Sequence, residues 1–289
     1  MSNVRQSVGV PAASAFAGFD GSPVVLDVTN GRAYGLKSDG TVFAIGCGYG
    51  YCQGGSLSGT GSTVTMAAGS FDVNGTLVPW TSPLTLNVGT LAASTLYYVY
   101  LTTGGALEKS TTVPVFDATL NYWKKTGDAT RRCVGHFWST STSALAPFAM
   151  DKVSGTTRTR RVVYTEQLAA AGEHPFSGST VAWVAESLSD QIPANAIRAV
   201  CQGYVLNTLG TAQDCGFSIN GSSPVYTSDS GSGDFSIYVL GLAGGATAPF
   251  LTAEIVLLNG ATLYISSWGG SSQADAVASA AVTGVVIEI

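Results

Sequence analysis

Four residues of this chain are of the types that hold a tetrahedral metal ion: Cys47 and Cys52, spaced Cys-x4-Cys, and Cys133 and His136, spaced Cys-x2-His. Zinc takes thiolates and imidazoles in sets of four. The second pair falls inside an alternating segment, 131–138. Successive side chains of a strand face opposite ways, so Cys133 and His136 converge only at a bulge or a strand end. The reading is therefore no metal and no cofactor, with Cys47, Cys52, Cys133 and His136 as the alternative set. In that reading the cysteines are small buried residues and His136 is a satisfied surface residue. The five cysteines are an odd number, sparse for 289 residues. They do not make a secreted disulfide scaffold and point to assembly in a reducing cytoplasm.

Other catalytic groups are scarce. The two histidines are His136 and His174. Neither lies near a Gly-x-Ser-x-Gly elbow, which the sequence lacks. Asp72, Asp117, Asp128, Asp214, Asp234 and Glu254 are the acids that a paired-carboxylate glycosidase would draw on, with about 5–10 Å between the two. Turn-capping Asp and solvent-facing Glu are the commoner roles. Gly46, Gly48 and Gly50 precede no helix and no Lys-Ser/Thr pair, so they form no phosphate-binding loop. They read as a flexible connector with Tyr49 and Tyr51 available for contacts. The chain reads as a non-enzyme.

Aromatic residues are more plentiful. Tyr97, Tyr98, Tyr100, Tyr122, Trp123, Phe137 and Trp138 cluster in the middle of the chain and read mainly as core. Trp183, Tyr204, Tyr238, Tyr264 and Trp268 are spread over the last part. Aromatic faces stack on sugar rings and anchor interfaces. Trp268 abuts Gly269-Gly270-Ser271-Ser272 and reads as exposed. Trp268, Tyr264 and Trp183 form the candidate ligand-binding set.

These residues must be carried by strands. Six Asn-Gly or Asp-Gly pairs punctuate the chain, at 20–21, 30–31, 39–40, 74–75, 220–221 and 259–260. Such pairs favour two-residue hairpin turns, because a type I′ turn needs positive φ at both central positions. The sequence predicts a meander of Pro23–Thr29, Arg32–Lys37 and Thr41–Ile45. A Gly-rich connector over 46–62 precedes a second β unit. That unit contains the alternating Leu84, Leu86 and Val88, and the doubly apolar stretch Leu96–Leu101. Composition shifts to Ser, Thr and Ala over 139–160, which reads as a domain boundary. Seven strands follow: Thr180–Glu186, Ala196–Leu206, Cys215–Asn220, Phe235–Leu240, Leu251–Leu258, Ala261–Ser266 and Val282–Ile289. Glu166–Glu173 is the one helical-looking stretch. The predicted fold is all-β: a docking arm (1–20), an N-terminal meander and β unit (21–150), and a C-terminal antiparallel, jelly-roll-like sandwich (161–289).

Charge narrows the partners. Only 11% of residues are charged and the net charge is −5. Nucleic acid needs a basic face, so it is excluded as the main partner. Arg158, Arg160 and Arg161 form the one basic cluster and read as a solvated linker. The remaining surface of Ser, Thr, Asn, Gln and Gly suits copies of itself or neutral sugars. The sequence has no run of about 18 apolar residues, the span of a membrane helix, and no signal-peptide h-region.

Residues 24–45 (VVLDVTNGRAYGLKSDGTVFAI) resemble segments of tailed-phage virion proteins. STLYYVYLTTGGALEKSTTVP and YWKKTGDATRRCVGHFW, within 94–138, are similar to fibre-type structural proteins of the same kind. The resemblance implies a virion component: a tail fibre, a head spike or fibre, or a capsid decoration or collar protein. It implies a homo-oligomer, often a trimer. The N-terminal part would dock on other virion proteins and a distal β domain would meet the host; by architecture alone, that domain would bind cell-surface glycan. No catalytic motif comes with it, and 161–289 lie outside it. A polysaccharide depolymerase and a ligand-free decoration protein are the alternatives.

Overall fold

The computed structural model describes residues 4–7, 11–17, 24–27, 32–36, 42–45, 50–153, 156, 158–164, 176–178, 184–187, 192–207, 212–220, 235–243, 247–257, 262–269 and 276–289. The chain opens with β1 (Val4–Ser7), a 3-10 turn (Ala13–Phe16), β2 (Val24–Asp27), β3 (Arg32–Leu36) and β4 (Val42–Ile45). Next come β5 (Cys52–Gly54), β6 (Leu57–Thr60), β7 (Thr63–Met66), β8 (Gly69–Val73), β9 (Thr76–Trp80) and β10 (Leu84–Asn87). Then follow β11 (Leu96–Thr102), β12 (Leu107–Ser110), β13 (Pro114–Asp117), β14 (Tyr122–Lys125) and β15 (Asp128–Trp138). The rest is β16 (Phe148–Lys152), β17 (Thr159–Tyr164), β18 (Phe176–Gly178), β19 (Val184–Ser187), β20 (Ala196–Asn207), β21 (Gln213–Asn220), β22 (Phe235–Leu242), β23 (Thr247–Val256), β24 (Thr262–Gly269) and β25 (Ala276–Glu288). The protein is all-β.

The meander is present as β2-β3-β4, and β1 adds to it in parallel. Phe16 of the 3-10 turn packs with Val25 and Tyr34 in a small core of their own. The N-terminal arm thus docks on its own chain. Asn74-Gly75 forms a type I′ hairpin between β8 and β9, with φ of 52° and 76° and Val73 paired to Thr76. The turn tips at 20–21, 30–31, 39–40 and 259–260 lie outside the described residues, as do Gly221 and Glu166–Glu173.

Two expected linkers carry strands instead. The Gly-rich stretch contains β5 and β6. A Cβ on Gly55 would lie 2.7 Å from Met66 and 2.8 Å from Phe71. Those glycines let the backbone press onto side chains, rather than supplying slack. The 139–160 stretch contains β16, which pairs with β17.

A nine-stranded sheet in the order β10-β7-β6-β16-β17-β25-β20-β23, with β18 also on β25, crosses this stretch without a break. Strand alternation sorts its two faces. Met150, Val162, Val285, Ala199 and Ile255 form one cross-strand row, and every member is buried. Against this face packs the five-stranded sheet β12-β11-β15-β14-β13. A Cβ on Gly135 of β15 would meet Leu57 at 2.5 Å and Met150 at 3.4 Å. One hydrophobic cluster runs from Cys52 to Ile289 and includes Tyr97, Tyr98, Tyr100, Phe137 and Trp138. The last sheet, β19-β24-β21-β22, is antiparallel and lies beside β20, β23 and β25.

A buried guanidinium joins distant parts of this core. Arg132 Nη1 donates to the main-chain oxygens of Tyr51 (2.6 Å) and Asp72 (2.9 Å). Its Nη2 donates to those of Gly50 (3.1 Å) and Ile289 (3.3 Å). The plane lies between the Phe71 and Tyr122 rings, 4.9 and 4.8 Å from their centroids. Burial lowers its pKa to about 10, which leaves it charged at neutral pH.

Candidate functional site

Two of the three candidate aromatics, Tyr264 and Trp268, are on β24. Tyr264 pairs with Asn220 of β21 and Ala185 of β19. Trp268 is the penultimate residue of β24, opposite Gly216. Trp183 lies outside the described residues.

The metal-type residues do not assemble. Cys47 is outside the described residues. Cys133 and His136 do share a face, because Val134 is a bulge: Tyr100 pairs with Cys133 while Val99 pairs with Gly135. The alternation expected from sequence is broken at that one residue. Yet among the described residues no three His, Cys, Asp or Glu side chains gather around one point, so Cys52 does not complete the pair. His136 is 1% exposed rather than a surface residue. Neither ring nitrogen has a hydrogen-bond partner. Burial lowers its pKa to about 3, so the ring stays neutral. The Tyr164 ring lies edge-on at 6.3 Å.

Several other titratable groups also have shifted pKa values. Burial pushes the thiols of Cys133 and Cys201 up to about 12. A nucleophilic cysteine requires the opposite shift. Glu108 lies 2.6 Å from Lys125 and 2.8 Å from Arg131; the hydrogen bond from Lys125 foremost lowers its pKa. Lys124 lowers Asp117 and Thr130 lowers Asp128. A general acid at neutral pH needs a raised carboxyl pKa.

The open face of the nine-stranded sheet carries a charged cleft. Asp151, Arg161, Val286, Arg198 and Val256 form one cross-strand row. The adjacent row is Ala149, Val163, Gly284, Val200 and Glu254. Ile197 is an extra residue in β20, since Ala196 pairs with Ile287 and Arg198 with Val286. The bulge brings both Ile197 and Arg198 to the cleft wall. The cavity has a volume of about 220 Å³. Val286 lies at its centre, and Val153, Thr156 and Thr159 close the β16–β17 end.

Glu254 links the two arginines. Arg161 Nη2 lies 2.6 Å from Glu254 Oε1, and Arg198 Nη1 lies 3.3 Å from Glu254 Oε2. Asp151 stands opposite Arg161 in the same row and Glu288 opposite Thr159 on the same face, so the two guanidiniums share this face with three carboxylates. Arg161 Nε is buried and has no hydrogen-bond partner. Asp151 and Glu254 sit four strands apart. At about 4.8 Å per strand their Cα atoms are roughly 19 Å apart.

Arg161 belongs to the cluster that reads as a solvated linker from sequence. The structure corrects this for all three arginines. Arg160 is 1% exposed and donates to Gly54. Arg158 donates to the main-chain oxygen of Ile289 and to Asn121 Oδ1. The period-2 pattern of Thr159–Tyr164 was the available signal for Arg161, since it places Arg161 and Val163 together outside. Nothing local pairs Arg161 with Arg198 and Glu254, which are 37 and 93 residues away.

No protein-family model matches the sequence. No characterised protein matches it by sequence search. Among solved structures, the Major Tropism Determinant P3c variant is 16% identical over 66% of this chain and 57% of its own, with a TM-score of 0.31. The M1 variant is 18% identical over 53% of this chain and 46% of its own, with a TM-score of 0.30. The match spans 46% of the U1 variant and 49% of the I1 variant. An exo-beta-1,3-galactanase from Phanerochaete chrysosporium aligns at 11% identity over 92% of this chain and 68% of its own, with a TM-score of 0.19. Alignments this loose define no common fold. No helix among the described residues is long and apolar enough to cross a membrane.

Proposed function

We propose that this chain is a structural component of a phage-type virion, assembled in the host cytoplasm. It is a homo-oligomeric fibre, spike or decoration protein, trimeric, that docks by its N-terminal part and displays the C-terminal sandwich. The observation that carries this reading is the edge strand β13. Val115 and Phe116 of β13 are 43% and 41% exposed, and Val113 just before it is 50% exposed. Among the described residues β13 is the last strand of its sheet and pairs with β14 alone. An apolar edge with open backbone groups favours addition of another strand, and a second copy of this chain is the occupant we assign. The resemblance of 24–45 and 94–138 to virion segments agrees with this role. So does the tuning of Glu108, Asp117, Asp128, Cys133 and Cys201 away from catalysis.

Size-exclusion chromatography with light scattering tests the reading. The full chain is expected to run as a trimer, and Val115→Lys as a smaller species. A wild-type monomer at high concentration would overturn it. Release of reducing ends from host polysaccharide would replace it with the depolymerase alternative.

A further inference from the structure

We infer that the cleft on the open face of the nine-stranded sheet is a socket for an aromatic side chain of a second copy of this chain, and that Phe116 of β13 is the side chain that enters it. This rests on the homo-oligomeric reading above and names the surface that covers the β13 edge.

The cleft fits an uncharged occupant. Arg161 and Arg198 are both paired to Glu254, and Asp151 and Glu288 stand on the same face. An incoming anion would meet three carboxylates. What the cleft offers is apolar: Val286 lies at its centre, with Ile197 and Val153 on its walls. Its volume of about 220 Å³ lies below the roughly 300–1,000 Å³ of sites for drug-sized ligands, and suits one ring. Guanidiniums at the rim add attraction for an aromatic face.

The exposed large hydrophobics point to the occupant. Among the described residues they are Val113, Val115, Phe116, Val163 and Val256, and they fall into two groups. Three lie at β13. The other two flank the cleft, Val163 in the row beside Arg161 and Val256 in the row of Arg198. Phe116 is the one aromatic of the five. Its ring lies edge-on to Trp123, and the Arg158 guanidinium is 5.8 Å from its centroid. An aromatic anchor already held on its own chain loses little freedom on docking, and such anchors in pockets dominate interface energies.

The charges agree. Residues 94–138, which supply β11 to β15, hold five cations and three carboxylates. Arg158 adds a sixth cation over Phe116. With the buried Asp72 counted, this side remains positive, whereas the cleft face holds three carboxylates against two guanidiniums. Phe116 and its socket are unlike patches, so the contact can repeat around a closed ring, while pairing of β13 with itself would stop at two copies.

The test is sedimentation velocity of the full chain. Phe116→Ala removes the ring, and Ile197→Lys puts a charge in the socket wall. The wild type is expected to be a trimer. In each variant the dissociation constant should rise about tenfold or more, with an unchanged circular dichroism spectrum. An equimolar mixture of the two should form a one-to-one complex, because Phe116 of Ile197→Lys enters the intact socket of Phe116→Ala. Should Ile197→Lys alter the spectrum, Val256→Lys beside the cleft takes its place. A folded socket variant that stays trimeric would overturn the contact and leave the homo-oligomeric reading standing. A mixture that forms no complex would overturn it as well. A wild-type monomer at high concentration would overturn both. Wild-type dimers that either variant dissociates would support the contact and overturn the trimer.

Discussion

Arg161 and Glu254 are ion-paired at 2.6 Å, although β25 and β20 lie between the strands that carry them. The pair closes only because both side chains lie along the sheet face, over Val286, instead of standing up from it. The arrangement holds Arg198 in the same group, 3.3 Å from Glu254.

The first prediction concerns what this pair does for stability. Side chains 41% and 33% exposed sit in a high effective dielectric, where ion pairs contribute about 0–1 kcal/mol. Glu254→Ala should therefore move the urea-unfolding free energy by no more than about 1 kcal/mol. A loss well beyond that would make the triad a structural clamp.

The floor of the cleft depends on Gly284. A Cβ there would stand 2.4 Å from the Val162 carbonyl oxygen, on the neighbouring strand β17. Backbone cannot swing aside as a side chain does, so Gly284→Ala must push β25 from β17. We expect a loss of about 1–3 kcal/mol, read from chemical denaturation. Gly104→Ala is the control: its nearest contact would be the Thr102 hydroxyl at 3.7 Å. It should change stability by less than about 0.5 kcal/mol. Equal effects at the two positions would refute the close-approach argument.

The strands were largely legible in the sequence because their signals are local. Alternation along 131–138 and the doubly apolar Leu96–Leu101 reappear as β15 and β11, and Asn74-Gly75 turns as its residue types require. Each of the seven C-terminal segments overlaps a strand, β19 to β25 in order. What stayed hidden was long-range. Glycines of 46–62 read as slack because the Met66 and Phe71 side chains they accommodate lie elsewhere in the chain. Arg158, Arg160 and Arg161 read as one solvated run. Strand geometry sends Arg160 inward and Arg161 outward, and their partners come from Gly54 and Glu254. The His136 environment was missed for the same reason: Val134 bulges only because of how β15 pairs with β11.

Arg132 gives the third prediction. Its four carbonyl acceptors come from three separate stretches of chain. Methionine would fill the space between Phe71 and Tyr122 but remove the guanidinium donors from all four oxygens, of which Tyr51 keeps the Asp72 N–H and Ile289 keeps Arg158 Nε. Breaking such a buried polar arrangement costs about 3–5 kcal/mol. Arg132→Met should lower the urea midpoint accordingly, and Arg132→Lys should recover only part of it, because an ammonium lacks the planar fork. Full recovery by lysine would show that charge alone holds the node.

His136 gives the last prediction, and its sign follows from burial. The folded pKa is lowered from 6.5 to about 3. As pH falls through 6.5 the unfolded chain takes up a proton at this ring and the folded chain does not. The contribution of the neutral ring is therefore complete above pH 6.5 and is lost progressively between there and about pH 3. Within that window each pH unit should cost about 1.4 kcal/mol. His136→Phe keeps an aromatic ring beside Tyr164 and removes both unpaired nitrogens. It should flatten the pH dependence of the urea midpoint between pH 6.5 and 5, above the range where ordinary carboxylates titrate. At pH 8 the two proteins should differ little. An unchanged slope in His136→Phe would mean that the ring is protonated in the folded protein, with a partner that accepts from it.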